Sequence, residues 1–150
     1  STRQLIHILV DIVSKGGNLL LNIAPGPNGD WNATAYERLH EIGNWMQVNG
    51  EGIYATRAIA PYKQGKIRFT QNRKTKMVYA IYLPDETEAT LPLTVGINDM
   101  ELKKGSSVEL LGYGKVKWKK TSEGISITIP ERIRKNPPCK EAWAFKLQLD

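Results

Sequence analysis

Two hydrophobic periods divide this chain. Up to about residue 55 the apolar positions recur at helical spacing. Leu5, Ile8, Leu9, Ile12 and Val13 follow the i, i+3, i+4 rule, which predicts a helix over residues 2–15 with that stripe buried. Gly16-Gly17 ends it, because glycine enters the left-handed conformation of a helix C-terminus without a Cβ penalty. The run Leu19-Leu20-Leu21-Asn22-Ile23 is too short for a helix and is bounded by turn residues; it predicts a strand buried on both faces, as in a parallel sheet. Ala24–Asp30, with two prolines and two glycines, predicts a loop. Thr34-Ala35-Tyr36-Glu37 has the spacing of a capping box, and Leu39, Ile42, Trp45 and Met46 give a second helix its buried stripe up to Asn49-Gly50. Helix, buried strand, helix is a repeat unit of an α/β fold, too small to close a sheet alone.

Beyond residue 66 the period is two. Ile125, Ile127 and Ile129 alternate with Ser126 and Thr128, and Trp143, Phe145, Leu147 and Leu149 alternate with Ala144, Lys146 and Gln148. Five further runs read as strands: 67–70, 77–83, 91–95, 108–111 and 116–119. Turn residues such as Pro84-Asp85, Asn98-Asp99 and Lys104-Gly105 separate them. Seven short strands predict an antiparallel β-sandwich with Trp118, Ile127, Phe145 and Leu147 in its core. The fold class expected is α+β. Residues 1–55 form an α/β piece, 56–66 a linker containing Pro61 and Gly65, and 67–150 the sandwich.

Composition narrows the functional classes. The chain has 150 residues, 41% of them apolar, and one cysteine, which excludes an internal disulfide framework and a Cys-rich zinc site. No apolar run approaches the ~20 residues that span a bilayer. The first residues lack the basic, apolar and small-residue order of a signal peptide, and the chain begins inside an amphipathic pattern without Met, as a fragment of a longer protein does. Charge is uneven: residues 1–54 carry three basic and five acidic side chains, residues 55–150 eighteen and ten. In runs such as Lys115-Val116-Lys117-Trp118-Lys119 the lysines alternate with apolar residues, the pattern of a solvated strand face rather than of a nucleic-acid site.

Catalytic groups are sparse. His7 and His40 sit on predicted helices without a second His or Cys at metal-ligand spacing, and Cys139 has no His signature near it. No phosphate-cradling loop, GxSxG or HExxH is present. Asn32-Ala33-Thr34 is an N-glycosylation sequon. The suggestive place is the loop after Leu19–Ile23. If that run is a barrel strand, Asn22 and residues 24–33 lie at its C-terminal end, where α/β barrels build their sites. Trp31 stands there outside any periodic stripe. It reads either as a stacking wall for a sugar or as a plug over the barrel top.

The segment Val13-Ser14-Lys15-Gly16-Gly17-Asn18-Leu19-Leu20-Leu21-Asn22-Ile23-Ala24-Pro25, followed by Gly29, resembles a stretch of the α-L-fucosidases of glycoside hydrolase family 29. Glu37-Arg38-Leu39, Ile42-Gly43-Asn44-Trp45 and Asn49-Gly50-Glu51-Gly52-Ile53-Tyr54-Ala55-Thr56-Arg57 resemble the helix and exit that follow it. Val78–Leu83 and Glu141–Leu147 resemble the family's C-terminal domain. Ala24 stands where the family commonly has Gly, and residues 26–33 form an insertion-prone loop.

The resemblance implies the last helix–strand–helix of a (β/α)8-like barrel followed by a C-terminal β-sandwich. It implies hydrolysis of terminal α-linked L-fucose with retention, through an Asp nucleophile and a Glu acid/base encoded before this chain begins. This chain then holds no catalytic residue, no metal site and no cofactor site. Asp11 and Glu51 match neither catalytic motif and read as structural. Trp31 is the one substrate-binding candidate, and the 150-residue piece alone is expected to be inactive. The partners implied are a fucosylated glycan and the remainder of the barrel, with no nucleic acid and no membrane span. The location implied is secreted, periplasmic or lysosomal. The alternative is a stand-alone carbohydrate-binding β-sandwich without catalysis.

Overall fold

A computed structural model describes residues 1–150. Its first helix, α1 (Thr2–Ser14), begins at Ser1, whose hydroxyl accepts from the Gln4 amide, while the Gln4 side chain bonds back to the Ser1 amino group. It ends in a Schellman motif: Gly16 takes φ +88° and donates to the Val13 carbonyl, and Gly17 donates to the Ile12 carbonyl. The second helix, α2 (Ala33–Asn49), is capped by Asn32, whose Oδ1 accepts from the Ala35 amide at 2.9 Å. The cap is therefore two residues before the Thr34 box that the spacing suggested. Asn is as strong a cap as Thr, and here it comes first along the chain.

Eight strands follow: β1 (Thr56–Gln64), β2 (Ile67–Asn72), β3 (Val78–Tyr82), β4 (Thr94–Asn98), β5 (Val108–Leu110), β6 (Gly114–Lys120), β7 (Gly124–Thr128) and β8 (Trp143–Leu147), with a short helix α3 (Glu131–Lys135) before β8. They pair antiparallel in the order β1-β2-β3-β8-β5-β6-β7-β4. The first part of β6 pairs with β5 and the second with β7, so this strand turns the corner between two layers. At the far edges the Gln64 side chain donates to the Asn98 carbonyl at 2.7 Å and accepts from its amide, nearly closing the sheet. The result is a β-sandwich.

Two apolar clusters hold the molecule together. One lies between the layers, with Phe69, Val78, Ala80, Val95, Ile97, Ile125, Ile127, Phe145 and Leu147 all within 2% of full burial. Trp118 packs against it from the rim, half-buried rather than central. The other cluster joins the opposite face of β3 and β8 to the helices through Ile6, Val10, Trp45, Tyr79, Ile81, Ala142 and Ala144. β3 and β8 are thus covered on both faces, which is why Val78–Tyr82 and Trp143–Phe145 lack polar alternation. β4 and β7 have one wet face and alternate cleanly.

Three further expectations change, and a fourth element has no partner within this chain. The linker 56–66 is instead strand β1 and its turn: Thr56–Ala58 pair with Thr70–Asn72, a bulge follows, and Lys63 and Gln64 resume the ladder. Pro61 is tolerated there because β1 is an edge. The strand expected at 91–95 begins at Thr94, since Pro92 cannot donate to a ladder. The buried face of α1 is Thr2, Ile6, Val10 and Ser14, with Leu5, Leu9 and Val13 partly covered and Ile8 48% exposed. This helix is apolar around most of its circumference, so periodicity alone does not choose a face. Finally, Leu19–Ile23 runs without a ladder partner, and Leu20 is 85% exposed. Every strand of the chain is paired within the sandwich, so none remains to flank this run.

Candidate functional site

The loop between α1 and α2 is organised by its own backbone. Gly26 donates to the Asp30 carbonyl at 2.6 Å, and Gly29, at φ +85°, donates to the Gly26 carbonyl at 3.0 Å. This turn delivers Trp31 directly before the Asn32 cap. The Trp31 ring lies 5.5 Å from the Tyr36 ring, tilted by 48°, and is 40% exposed. Tyr36, one turn into α2, joins the site only in the fold: it stands three residues before Leu39, at the spacing of a core position, and only its packing on Trp31 marks it out. Beside the pair a groove of about 350 Å³ runs between α1, the extended run and α2, lined by Leu5, Leu21, Ile23, Leu39 and Ile42.

Polar contacts fix the two helices around this groove. Arg38 Nη1 donates to Thr2 Oγ1 at 3.1 Å and pairs with Glu41 at 2.9 Å, and the Thr2 hydroxyl also donates to Glu41. The bonds from Thr2 and then Arg38 hold the Glu41 carboxyl below its usual range.

The two carboxylates weighed in the sequence are both committed to structure. Asp11 on α1 pairs with Lys15 at 2.5 Å and with Arg68 on β2 at 2.7 Å, and these hydrogen bonds lower its pKa. Glu51 accepts from Tyr79 Oη at 2.7 Å and Lys146 Nζ at 2.5 Å. Partial burial alone would raise its pKa, but the bonds from Lys146 and Tyr79 together outweigh that and lower it. A general acid needs the opposite shift.

His7 Nε2 lies 2.9 Å from the Glu141 carbonyl, and burial lowers its pKa. His40 is exposed on α2. No three His, Cys, Asp or Glu side chains converge. Cys139 is enclosed: its Sγ donates to the Ala142 carbonyl at 2.9 Å and accepts from Asn49 Nδ2 at 3.5 Å, and burial pushes the thiol up to about 11. It is a protonated thiol at neutral pH and a poor nucleophile. Trp45 Nε1 donates to the same Ala142 carbonyl at 3.0 Å, which ties α2 to the start of β8.

Comparison with known proteins gives the same family for both halves. A family described as Alpha-L-fucosidase matches residues 1–51, and the Alpha-L-fucosidase C-terminal domain matches residues 61–148. The chain is 36% identical to the plasma alpha-L-fucosidase of Homo sapiens over 149 residues, which is 96% of this chain and 31% of that protein. It is 35% identical to an alpha-L-fucosidase of Branchiostoma floridae over 150 residues, 97% of this chain and 32% of that one. Among solved structures, the Thermotoga maritima alpha-fucosidase in complex with fucose superposes with a TM-score of 0.79 at 30% identity, covering 98% of this chain and 34% of that one. The chain therefore spans about a third of the length of the relatives it matches.

Proposed function

The chain belongs to the α-L-fucosidase family, and from that premise we propose that it works as the C-terminal part of a retaining exo-α-L-fucosidase. Its substrate is then a glycan ending in α-linked L-fucose. The observation that carries this is the order of the two matches along one chain, Alpha-L-fucosidase and then the Alpha-L-fucosidase C-terminal domain. Retention calls for two carboxyl groups ~5–5.5 Å apart, one as nucleophile and one as acid/base. Asp11 and Glu51 are held in separate ion pairs, with Lys15 and Arg68 and with Lys146, and serve neither role. The nucleophile and the acid/base lie in the remainder of the protein, and this chain supplies a wall of the pocket.

In that assembly the residues 1–55 complete the barrel, and Leu19–Ile23 is its last strand. The exposed apolar side chains Ile8, Leu20 and Leu21 support this, because covering them removes apolar surface from water. The same exposure counts against a stand-alone binding module, which would leave those side chains in water. Trp31, backed by Tyr36, is then placed beside the sugar as a stacking wall. The name of one relative, plasma alpha-L-fucosidase, supports a secreted location. So does the sequon: Asn32 is exposed, and its cap bond uses Oδ1, leaving Nδ2 without a partner in this chain.

The test is turnover of an aryl α-L-fucoside by the full-length protein and by this chain alone. Full-length turnover with retention, and none from the chain above a heat-killed control, is the result expected. An inactive full-length protein overturns the assignment, and turnover by the chain overturns the division of labour.

A further inference from the structure

The two faces of the sandwich are not equivalent. The outer face of the β3–β8 layer is covered by α1 and α2 through Ile6, Val10 and Trp45. The other layer, β4, β7 and the second part of β6, lies on the far side, and nothing in the chain covers its outer face. Its inward residues, Val95, Ile97, Ile125 and Ile127, are in the core.

The outward positions form two rows set by the ladder. Lys117 stands opposite Thr128, which stands opposite Thr94; Lys119 stands opposite Ser126, which stands opposite Gly96. All are exposed except half-buried Ser126. The lysines are two residues apart on one strand, about 6.8 Å, and each row reaches across strands spaced about 4.8 Å. Neither Lys117 nor Lys119 takes part in any of the eight ion pairs, whereas Lys120 and Lys146 are neutralised by Glu101 and Glu51. β4, β6 and β7 contain four lysines and no acidic residue.

We propose that this face binds a sulfated glycan chain. Two unneutralised ammonium groups beside a shelf of hydroxyls match a polymer that carries both compact anions and hydroxyls. The three strands contain no arginine, so the face offers compact ammonium point charges, each able to donate to the oxygens of one sulfate ester. Their single aromatic residue, Trp118, faces the core, so no ring is available to stack on a nucleic-acid base. No apolar side chain points outward from the three strands to enter a bilayer. The face binds independently of any hydrolysis, and it holds the protein on an anionic glycan from the side opposite the helices.

The experiment measures binding of the full-length protein to immobilised dextran sulfate at about 50 mM salt, against neutral dextran, single-stranded DNA and phosphatidylserine vesicles. Lys117→Glu with Lys119→Glu is compared with Lys74→Glu and Lys76→Glu, a pair in the β2–β3 turn with the same change in net charge. The first pair is expected to lower dextran sulfate affinity about ten-fold or more and the second about two-fold or less, as direct ion contacts demand. A Gln pair at 117 and 119 gives a smaller loss of the same sign and covers misfolding of the Glu pair, with the melting temperature checking both. Equal losses from the two pairs, no binding by the wild type, or DNA or vesicle binding as tight as dextran sulfate binding each overturn the proposal.

Discussion

The joint between α2 and the sandwich rests on one carbonyl. Ala142 is fully buried, and its oxygen accepts both Trp45 Nε1 at 3.0 Å and Cys139 Sγ at 2.9 Å. Either donor alone keeps that oxygen satisfied; removing both strands it in an apolar cluster. Trp45→Phe trims a buried ring and is expected to cost about 1–2 kcal/mol. Cys139→Ala leaves a small void and costs about 1 kcal/mol. The double variant carries in addition the desolvation penalty of an unpaired buried acceptor, about 1–3 kcal/mol. The stabilities of the four proteins, from urea unfolding followed by far-ultraviolet circular dichroism, form a double-mutant cycle in which the loss of the Asn49 contact to Cys139 cancels. The double variant must then lose more than the sum of the two single losses, by about 1 kcal/mol or more. Additivity to within about 0.3 kcal/mol would show that the carbonyl does not depend on this pair and that the joint is held by packing alone.

Two further outcomes follow from the same geometry. Burial lowers the His7 pKa from 6.5, so the unfolded chain binds more protons below that value and stability falls as pH drops from 6.5 through the folded pKa; His7→Gln, which keeps a donor for the Glu141 carbonyl, should flatten that part of the pH–stability curve, and an unchanged curve counts against the assignment. If Trp31 is the proposed sugar wall, Trp31→Ala in the full-length protein should weaken fucose binding by about one to two orders of magnitude through lost ring contact while the melting temperature holds; unchanged affinity with a stability loss of roughly 3–5 kcal/mol would instead mark a plug.

The sequence by itself was sufficient wherever one face of an element meets water. β7 and the end of β8 were legible from strict alternation, because an inward Ile, Phe or Leu and an outward Ser or Lys leave a period of two. The end of α1 was legible because only glycine takes φ +88° at no steric cost. The family was legible in contiguous motifs, which need no tertiary information. Tertiary structure decided the rest. β1 carries only Ile59 and Tyr62 as large apolar residues and contains Pro61; it is a strand because β2 presents a free edge, and that edge is invisible locally. The face that α1 buries was decided by where the sheet lies, since the helix is apolar on more than one side. The partners of Asp11, Glu51 and Trp45 are Arg68, Lys146 and Ala142, between 57 and 97 residues away. Hydrophobic periodicity encodes which side of an element avoids water, but a hydrogen bond between distant segments exists only once the chain has folded to bring them within reach.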